Sequence, residues 1–367
     1  MIQRAVLTAL SLALAVPAVR AQSAPSALQS SNLLNPNVSV IGWFQGEAGG
    51  RSRGAGGAEP AAFALREAEL GLQSVVDPYA KADFFIAVGG DGGVELEEGY
   101  LNWFALPYGL ALKTGKFRAD FGKFNRTHPP ETAFADRPLV HERFLGEEGL
   151  SGMGGALSWQ VPVPWLFVSV DAQALTSPEA AEVPAFDQAR KRDLLYVGRV
   201  ATYYDLSESV NAGLGASGAW GNAGQDIDPV SGSSATLVSR LGGLDLTLRW
   251  KDPRRAVYRS AFWQTEMLWG RRGAPGGSAV GAKGLFTHVE YQFAQRWRAG
   301  ARYDYTELPA DGSVRETGGL AYLTFMPSEF SLISLQGRRA RRQDGSRESL
   351  AWLKMTFNIG PHGAHPF

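Results

Sequence analysis

Short segments in which apolar and polar residues alternate run through most of the chain and limit its fold more than any other feature. In "WRAGARYDYTEL", every second residue from Trp297 to Tyr305 is apolar, whereas Arg298, Arg302 and Asp304 lie between them. This period of two is typical of a β-strand whose two faces meet different surroundings. Beyond the first residues, no apolar run approaches the roughly 18 residues of a membrane helix. The chain is therefore predicted to be all-β.

Alternation and turn residues together predict sixteen strands, many of them near the length that crosses a bilayer at a tilt. Their approximate ranges are 37–48, 63–77, 80–89, 94–105, 109–121, 152–162, 164–176, 194–206, 209–221, 236–251, 259–271, 283–295, 297–308, 315–326, 331–341 and 348–360. An antiparallel barrel of this size encloses an aqueous channel, whereas a barrel of about eight strands is filled by side chains.

The links between these strands alternate in length. Tight links such as "DPYA", "LPYG" and "MPSEF" follow even-numbered strands. The other joins, which include "GGRSRGAGGAEP" and the stretch 122–151, are mostly longer. Short turns on one side and longer loops on the other are typical of a transmembrane β-barrel of the outer membrane. The pattern predicts short periplasmic turns, longer extracellular loops and both termini in the periplasm. A soluble sandwich, the alternative, predicts no such alternation.

The first residues of the chain predict export. Residues 1–21 combine a basic Arg4, an apolar stretch and small residues at Val19 and Ala21, which is the pattern of a secretory signal peptide. A membrane anchor is the alternative, but the apolar run is short and Pro17 interrupts it.

Composition and the strand pattern together define the mature chain. It is predicted to comprise a short periplasmic segment at 22–36, the transmembrane β-barrel at 37–360 and a C-terminal extension at 361–367. The chain has no cysteine, so no disulfide or thiolate chemistry is expected. Its formal net charge is +0, which argues against a nucleic-acid partner.

Several stretches resemble the phosphate-selective (O/P-type) porins of the outer membrane. They are "LREAELGLQSVVDPYAKADF" (65–84), "GLALKTGKFRADFGKFN" (109–125), "LGGLDLTLRWKDP" (241–253) and "DRPLVHERFLGEEGLSG" (136–152). The resemblance spans most of the mature chain and implies a trimeric barrel of sixteen strands for passive solute passage. It also implies that the longest join, residues 122–151, folds into the barrel and narrows it.

The charges of this join favour a general pore. Phosphate selectivity in the resembled group rests on a strongly basic channel, whereas this join carries four basic and five acidic side chains. We predict an outer-membrane porin for passive diffusion of small hydrophilic solutes or ions. A substrate-specific anion channel of the phosphate type is the alternative. The expected partners are the lipid bilayer, lipopolysaccharide and further copies of the chain in a homotrimer, and no cofactor is expected.

The predicted pore-lining residues lie in this join and on the polar faces of strands. In the join they are Lys123, Arg126, His128, Glu131, Asp136, Arg137, His141, Glu142, Arg143, Glu147 and Glu148. On the strands they are Arg249, Glu290, Arg298, Arg302, Asp304 and Lys354. As a set they would form a mixed-charge lumen that sets ion preference. The alternative is that they pair with one another and keep the interior hydrated.

The run "RRARRQDGSR" (338–347) is the strongest basic cluster and is expected at the rim on the long-loop side. One interpretation is contact with lipopolysaccharide phosphates, which suit a planar and permanently charged guanidinium. The other is a solvated loop.

Metal binding and catalysis are the weaker alternatives. His128, His141 and the tail residues His362 and His365 are ligand types, as are the acids Glu142, Glu147 and Glu148, but no spacing matches a zinc motif. No metal site is predicted. The chain has 5 histidines, none of them in a nucleophile motif such as GxSxG, so no enzyme is predicted.

Overall fold

The computed structural model of the protein describes residues 36–51, 59–104, 106–179, 181–188, 190–227, 234–255 and 257–360. The predicted signal peptide, nearly all of the predicted periplasmic segment and the predicted C-terminal extension lie outside the described residues. The described residues form sixteen strands: β1 (Asn37–Arg51), β2 (Glu59–Asp77), β3 (Ala80–Gly89), β4 (Val94–Trp103), β5 (Leu110–Arg118), β6 (Ser151–Val161), β7 (Phe167–Thr176), β8 (Leu194–Asp205), β9 (Val210–Ile227), β10 (Ser234–Lys251), β11 (Ser260–Gly273), β12 (Ala279–Ala294), β13 (Trp297–Leu308), β14 (Asp311–Ser328), β15 (Ser331–Arg341) and β16 (Arg347–Ile359).

These strands form one closed antiparallel barrel in which each strand pairs with the next and β16 returns to β1. At the closure, Ala48 of β1 lies opposite Ala351 of β16. Closure leaves no open sheet edge, so the strand backbones find their hydrogen-bond partners within the barrel. The predicted all-β barrel of sixteen strands is confirmed.

The predicted alternation decides which side chains face out of the barrel. On β13, Tyr303 is 49% exposed, whereas Arg302 and Asp304 on either side of it are 2% and 0% exposed. On β16, Leu353 is exposed and Lys354 is fully buried. Apolar side chains therefore cover the outer face, whereas the inner face carries charged and polar side chains together with buried apolar ones such as Phe286. An apolar outer face is the reverse of a soluble protein and is typical of a membrane barrel.

The strand ends agree with the sequence prediction at β3, β13 and β15 and differ most on the long-link side. There β9 continues to Ile227, beyond the predicted end at 221, and remains paired with β10. The stretch "GNAGQDI" (221–227) lacks the alternation that predicts a strand. Backbone pairing needs no alternation of side chains, so the sequence pattern ends before the strand does.

The links differ from the predicted pattern in one respect. Those that follow even-numbered strands are short, as predicted, and the tight link 90–93 on the opposite side agrees with the predicted strand ends, but the link 309–310 is tighter than the predicted stretch 309–314. Within the described residues, the long links are 119–150 and 177–193. Longer strands on that side take up much of the sequence that was expected to form loops.

The link between β5 and β6, residues 119–150, is folded and corresponds to the predicted join 122–151. We call it the β5–β6 segment. It contains two short 3-10 turns, Phe124–Arg126 and Pro129–Glu131, and a helix that we label α1, Leu139–Leu145. Within the described residues, no helix is both long and apolar enough to cross a membrane. The buried apolar side chains of the segment cluster with Phe286 of β12.

Candidate channel constriction

The two ends of the β5–β6 segment meet at one buried amide. The Nδ2 of Asn125 donates to the carbonyls of Ala119 (2.9 Å) and Leu150 (2.8 Å). Its Oδ1 accepts from the Leu150 amide (2.8 Å) and from Arg137 (3.1 Å). The side chain of Asn125 thus makes all the hydrogen bonds that its two donors require. The same amide holds the start and the end of the segment side by side.

The middle of the segment is fixed to β15 and β16. The Nζ of Lys354 donates to the carbonyls of Thr132 (2.7 Å) and Phe134 (2.9 Å), and it lies 3.4 Å from that of Pro129. The side chain of Gln336 on β15 accepts from the Ala135 amide at 2.9 Å. Lys354, which was predicted to line the pore, therefore stabilises loop backbone, since three carbonyls surround its buried ammonium group.

Two arginines and two aspartates join the segment to β13 and β15. Arg302 donates from Nη2 to both carboxylate oxygens of Asp136 (3.0 Å each) and from Nε to Asp304 (2.8 Å). Arg338 also donates to Asp136. Burial alone would raise the pKa of Asp136, but Arg302 and Arg338 lower it below its usual value. Asp304 in turn accepts from the Leu139 amide at the start of α1 (3.3 Å).

A single carboxylate on β11 binds the segment at three points. Glu266 is fully buried, and its Oε1 accepts from the backbone amides of Lys123 (3.0 Å) and Phe124 (2.6 Å). Its Oε2 lies 3.0 Å from Nε2 of His141 on α1. Burial lowers the pKa of His141. The neutral imidazole can therefore donate from Nε2 to the carboxylate.

Strands β7 and β9 contact the start of the segment. Gln173 on β7 accepts from the Asp120 amide (3.1 Å) and donates to its carboxylate (2.6 Å). Ser217 on β9 accepts from the Gly122 amide (3.0 Å). Together with the contacts to β11, β13, β15 and β16, these bonds attach the segment to strands on widely separated parts of the barrel.

The acidic and basic residues at the end of α1 differ in burial. Arg143 forms a two-pronged bond to Glu316 of β14, with Nε–Oε2 at 2.9 Å and Nη2–Oε1 at 3.2 Å. Glu142 lies 3.2 Å from Nη1 of the same arginine. Glu147 and Glu148 are exposed. Of these predicted pore-lining residues, Arg143 and Glu142 are thus paired with wall or segment charges.

Some of the predicted basic residues keep part of their side chains exposed. Arg126 has a side chain 51% exposed and pairs with Asp120 at 2.9 Å. Lys123 reaches Thr247 on β10 at 3.3 Å and is partly buried. Burial lowers its pKa to about 8, and repulsion by Arg249 acts in the same direction.

The remaining predicted wall residues lie on β10 and β12–β13. Arg298 has a side chain 39% exposed and pairs with Glu290 at 3.3 Å. Glu290 also accepts from the Tyr322 hydroxyl at 2.6 Å. The Arg249 guanidinium lies 5.4 Å from the centre of the Phe262 ring. Arg249, Glu290 and Arg298 are thus partly buried rather than fully enclosed.

One relative is similar to the chain in sequence, and several solved structures are similar to it in fold. No family model matches the chain. An uncharacterized protein of Aquifex aeolicus (strain VF5) is 32% identical over 342 residues, which cover 84% of this chain and 71% of that protein. The chain belongs to the same family as that protein. Without a matching model, the resemblance to phosphate-selective porins stays a prediction.

Solved structures with the same fold include an outer-membrane channel and an anion-selective porin. Pseudomonas putida OprB is 11% identical with a TM-score of 0.65 over 92% of this chain and 96% of that one. An anion-selective porin from Comamonas acidovorans is 10% identical, with a TM-score of 0.59 over 89% and 100%. The channel DcaP of Acinetobacter baumannii is 11% identical, with a TM-score of 0.56 over 89% and 98%. The chain has the porin fold.

Sequence reasoning missed a cluster of acids on β2 and β4. The register between β3 and β4 shifts at Phe85/Ile86, so the consecutive residues Glu97 and Glu98 are both buried, 9% and 6% exposed. A β-bulge of this kind puts neighbouring side chains on one face. Period-two alternation sends neighbours to opposite faces, so no pattern in the sequence reveals such a pair. Glu69 of β2, 3% exposed, lies in the same cluster.

Within the described part of the chain, the possible metal ligands named from the sequence do not come together as one group. His128 lies among Glu69, Glu97 and Glu98, whereas His141 contacts Glu266. Glu131 and Arg137 are partly buried, and the Arg137 guanidinium lies 5.4 Å from the centre of the Phe124 ring. The tail residues His362 and His365 lie outside the described residues.

Proposed function

We propose that the protein is an outer-membrane porin through which small hydrophilic solutes or ions diffuse passively. The β5–β6 segment would cross the lumen and narrow the water-filled path. The observation that carries the proposal is the attachment of this one segment to side chains of β7, β11, β13 and β16. Because those strands are spread along the barrel from β7 to β16, a segment bonded to all of them would divide the enclosed space.

Paired charges support weak rather than strong ion preference. The buried guanidinium groups of Arg302 and Arg338 and the partly exposed one of Arg143 each contact a carboxylate. A group that is already neutralised attracts a passing anion only weakly. The charges left to a solute are Lys123, which is partly exposed, and the exposed part of Arg126, which Asp120 neutralises in part, and these would set a modest preference.

Solute entry into liposomes distinguishes this proposal from a phosphate-specific channel. Liposomes that contain the purified protein should swell in small neutral sugars as well as in salts, at rates that fall with solute size. Chloride current in planar bilayers should be little affected by added phosphate. Exclusion of sugars together with strong block by phosphate would instead support the specific anion channel, and a lack of permeability to every solute would contradict both.

Ion preference should depend on pH through Lys123. Its pKa of about 8 means that the side chain is charged below and neutral above that pH. Raising the pH from about 7 to about 9 should therefore lower the anion-to-cation permeability ratio, measured as a reversal potential in a salt gradient. Lys123→Arg should remove this dependence because a guanidinium stays charged. Equal pH dependence in the wild type and in Lys123→Arg would contradict the assignment.

The outer face supports placement in a membrane. Tyr196 and Trp220 are exposed side by side, with ring centroids 5.9 Å apart, and Trp269 is exposed on β11. At the short-link end, Tyr108 and Trp165 are 90% and 72% exposed. Aromatic residues at two levels with apolar residues between them are typical of a transmembrane barrel.

We also propose the predicted lipopolysaccharide contact and homotrimer. The pleat of β15 divides the basic run 338–347: Arg338 is buried against Asp136, whereas Arg339 and Arg341 are exposed on the outer face. Two outward guanidinium groups suit lipid phosphates. The mass of the complex in mild detergent, measured with any lipid that stays bound, checks both proposals. A monomer without lipid would contradict them.

A further inference from the structure

One histidine of the β5–β6 segment lies in a pocket of buried carboxylates. The Nδ1 of His128 is 2.9 Å from Oε2 of Glu69 on β2, and it also contacts Oε2 of Glu97 on β4. The three side chains are 7%, 3% and 9% exposed. Their ligand atoms lie within 4.8 Å of one another. Two strands and the segment thus bring three possible metal ligands, one imidazole and two carboxylates, to one point.

The hydrogen bonds of this cluster are incomplete. A ring nitrogen carries one proton at most, so Nδ1 can donate to only one of the two carboxylates that face it. The Oε2 atom of Glu69 accordingly has no hydrogen-bond partner, although it is buried, and Oε1 of Glu67 on the same strand also lacks one. A buried carboxylate oxygen without a partner is costly. A cation between the three side chains would satisfy both carboxylates and the lone pair of Nδ1 together.

The other ring nitrogen has the partner that a metal-bound histidine usually has. Nε2 of His128 lies 3.2 Å from Oε1 of Glu98. A ligating histidine almost always donates its second N–H to a carboxylate or carbonyl, which fixes the tautomer and the direction of the ring. Arg118 in turn holds Glu97 (3.2 Å) and lies near Glu98 (3.8 Å). The surroundings therefore orient Nδ1 towards Glu69 and Glu97.

We propose that this cluster is a binding site for a divalent transition-metal ion of the zinc type, with Nδ1 of His128 and carboxylate oxygens of Glu69 and Glu97 as ligands. A mixed set of imidazole and carboxylate donors suits such an ion, whereas Ca²⁺ takes six to eight oxygen ligands. The two charges of the ion and the one of Arg118 would also offset the carboxylates of Glu69, Glu97 and Glu98.

The bound ion would tie the β5–β6 segment to the wall at β2 and β4. Those strands are not reached by the hydrogen bonds from Lys354, Arg302 and Glu266, so the ion would complete the attachment on that side. The inference goes beyond the proposed channel function and does not depend on it, because binding and stability are measured on the purified protein without any transport.

Titration with zinc chloride tests the site. The full chain is purified in detergent, stripped with a chelator and carries His362→Ala and His365→Ala so that the tail cannot bind. Calorimetry should then give one zinc ion per chain, and zinc should raise the unfolding temperature, whereas Ca²⁺ should do neither. His128→Gln and Glu69→Gln should each abolish the binding. Glu98→Gln should weaken it about tenfold or more, as expected of a group that orients a ligand.

A matched change at another buried histidine controls for indirect effects. His288 on β12 is 4% exposed and bonds to Tyr322 at 2.7 Å, away from the cluster, so His288→Gln should leave zinc binding unchanged. X-ray absorption of the zinc-loaded protein with the cluster intact gives a second readout that needs no folded variant. It should show one imidazole nitrogen and oxygen ligands at about 2.0–2.2 Å. No zinc binding, binding that survives His128→Gln, or a spectrum without imidazole would each overturn the proposal and leave His128 as an ion-paired side chain.

Discussion

Arg302→Met is expected to lower the free energy of unfolding by about 3–5 kcal/mol, since it removes one partner of a buried ion pair and leaves the other charged. The guanidinium is 0% exposed, and it bonds to Asp136 of the β5–β6 segment and to Asp304 beside it on β13. Arg338 still neutralises Asp136 in the variant, but Asp304 keeps only the Leu139 amide. Denaturant unfolding of the protein in detergent measures the loss.

Two further variants separate this effect from a general weakening of β13. Arg298→Met changes the same residue type on the same face of the strand, but its side chain is 39% exposed and pairs only with Glu290. An exposed pair contributes about 0–1 kcal/mol, so this variant should change little. Adding Asp304→Asn to Arg302→Met should restore part of the stability, because no uncompensated charge then remains on β13. Equal losses for Arg298→Met and Arg302→Met would contradict the account.

The wall of the barrel could be predicted because it faces two different surroundings. Tyr303 faces outward and Arg302 inward, and this difference is written in the sequence as a period of two. Beyond residue 221 of β9 the sequence no longer alternates, so the predicted strand ends there although the strand itself continues to Ile227. The bulge that buries both Glu97 and Glu98 breaks the period and could not be predicted.

The roles of individual charges could be predicted less well than their positions. Lys354 was expected to line the pore, and its buried ammonium group bonds to backbone carbonyls of Thr132 and Phe134. A sequence does not show where a loop will place its carbonyls. The basic run 338–347 was read as one cluster at the rim, although the strand pleat sends Arg338 inward and Arg339 outward. The alternation of β15, continued through this run, places Arg338 and Arg339 on opposite faces.

Removal of residues 127–148 should have the largest effect on transport. The hydrogen bonds of Asn125 to Leu150 hold the two ends of the segment side by side, so Arg126 can be joined to Gly149 without strain on β5 or β6. The deletion takes away α1, the carbonyl partners of Lys354 and, of the two carboxylate partners of Arg302, Asp136. These wall charges would then face water in a wider lumen, where hydration replaces the lost bonds and the barrel remains closed by its strand pairing.

The single-channel conductance of this deletion variant in planar bilayers, compared with that of the wild-type protein, tests the central claim most directly. Arg339→Ala with Arg341→Ala, on the outer face, serves as a control that should leave the conductance unchanged. The account predicts ohmic steps for the wild type and steps several-fold larger for the deletion variant, together with entry of solutes that the wild type excludes. Steps of equal size in the wild type and the deletion variant would contradict it, because the β5–β6 segment would then lie outside the conducting path.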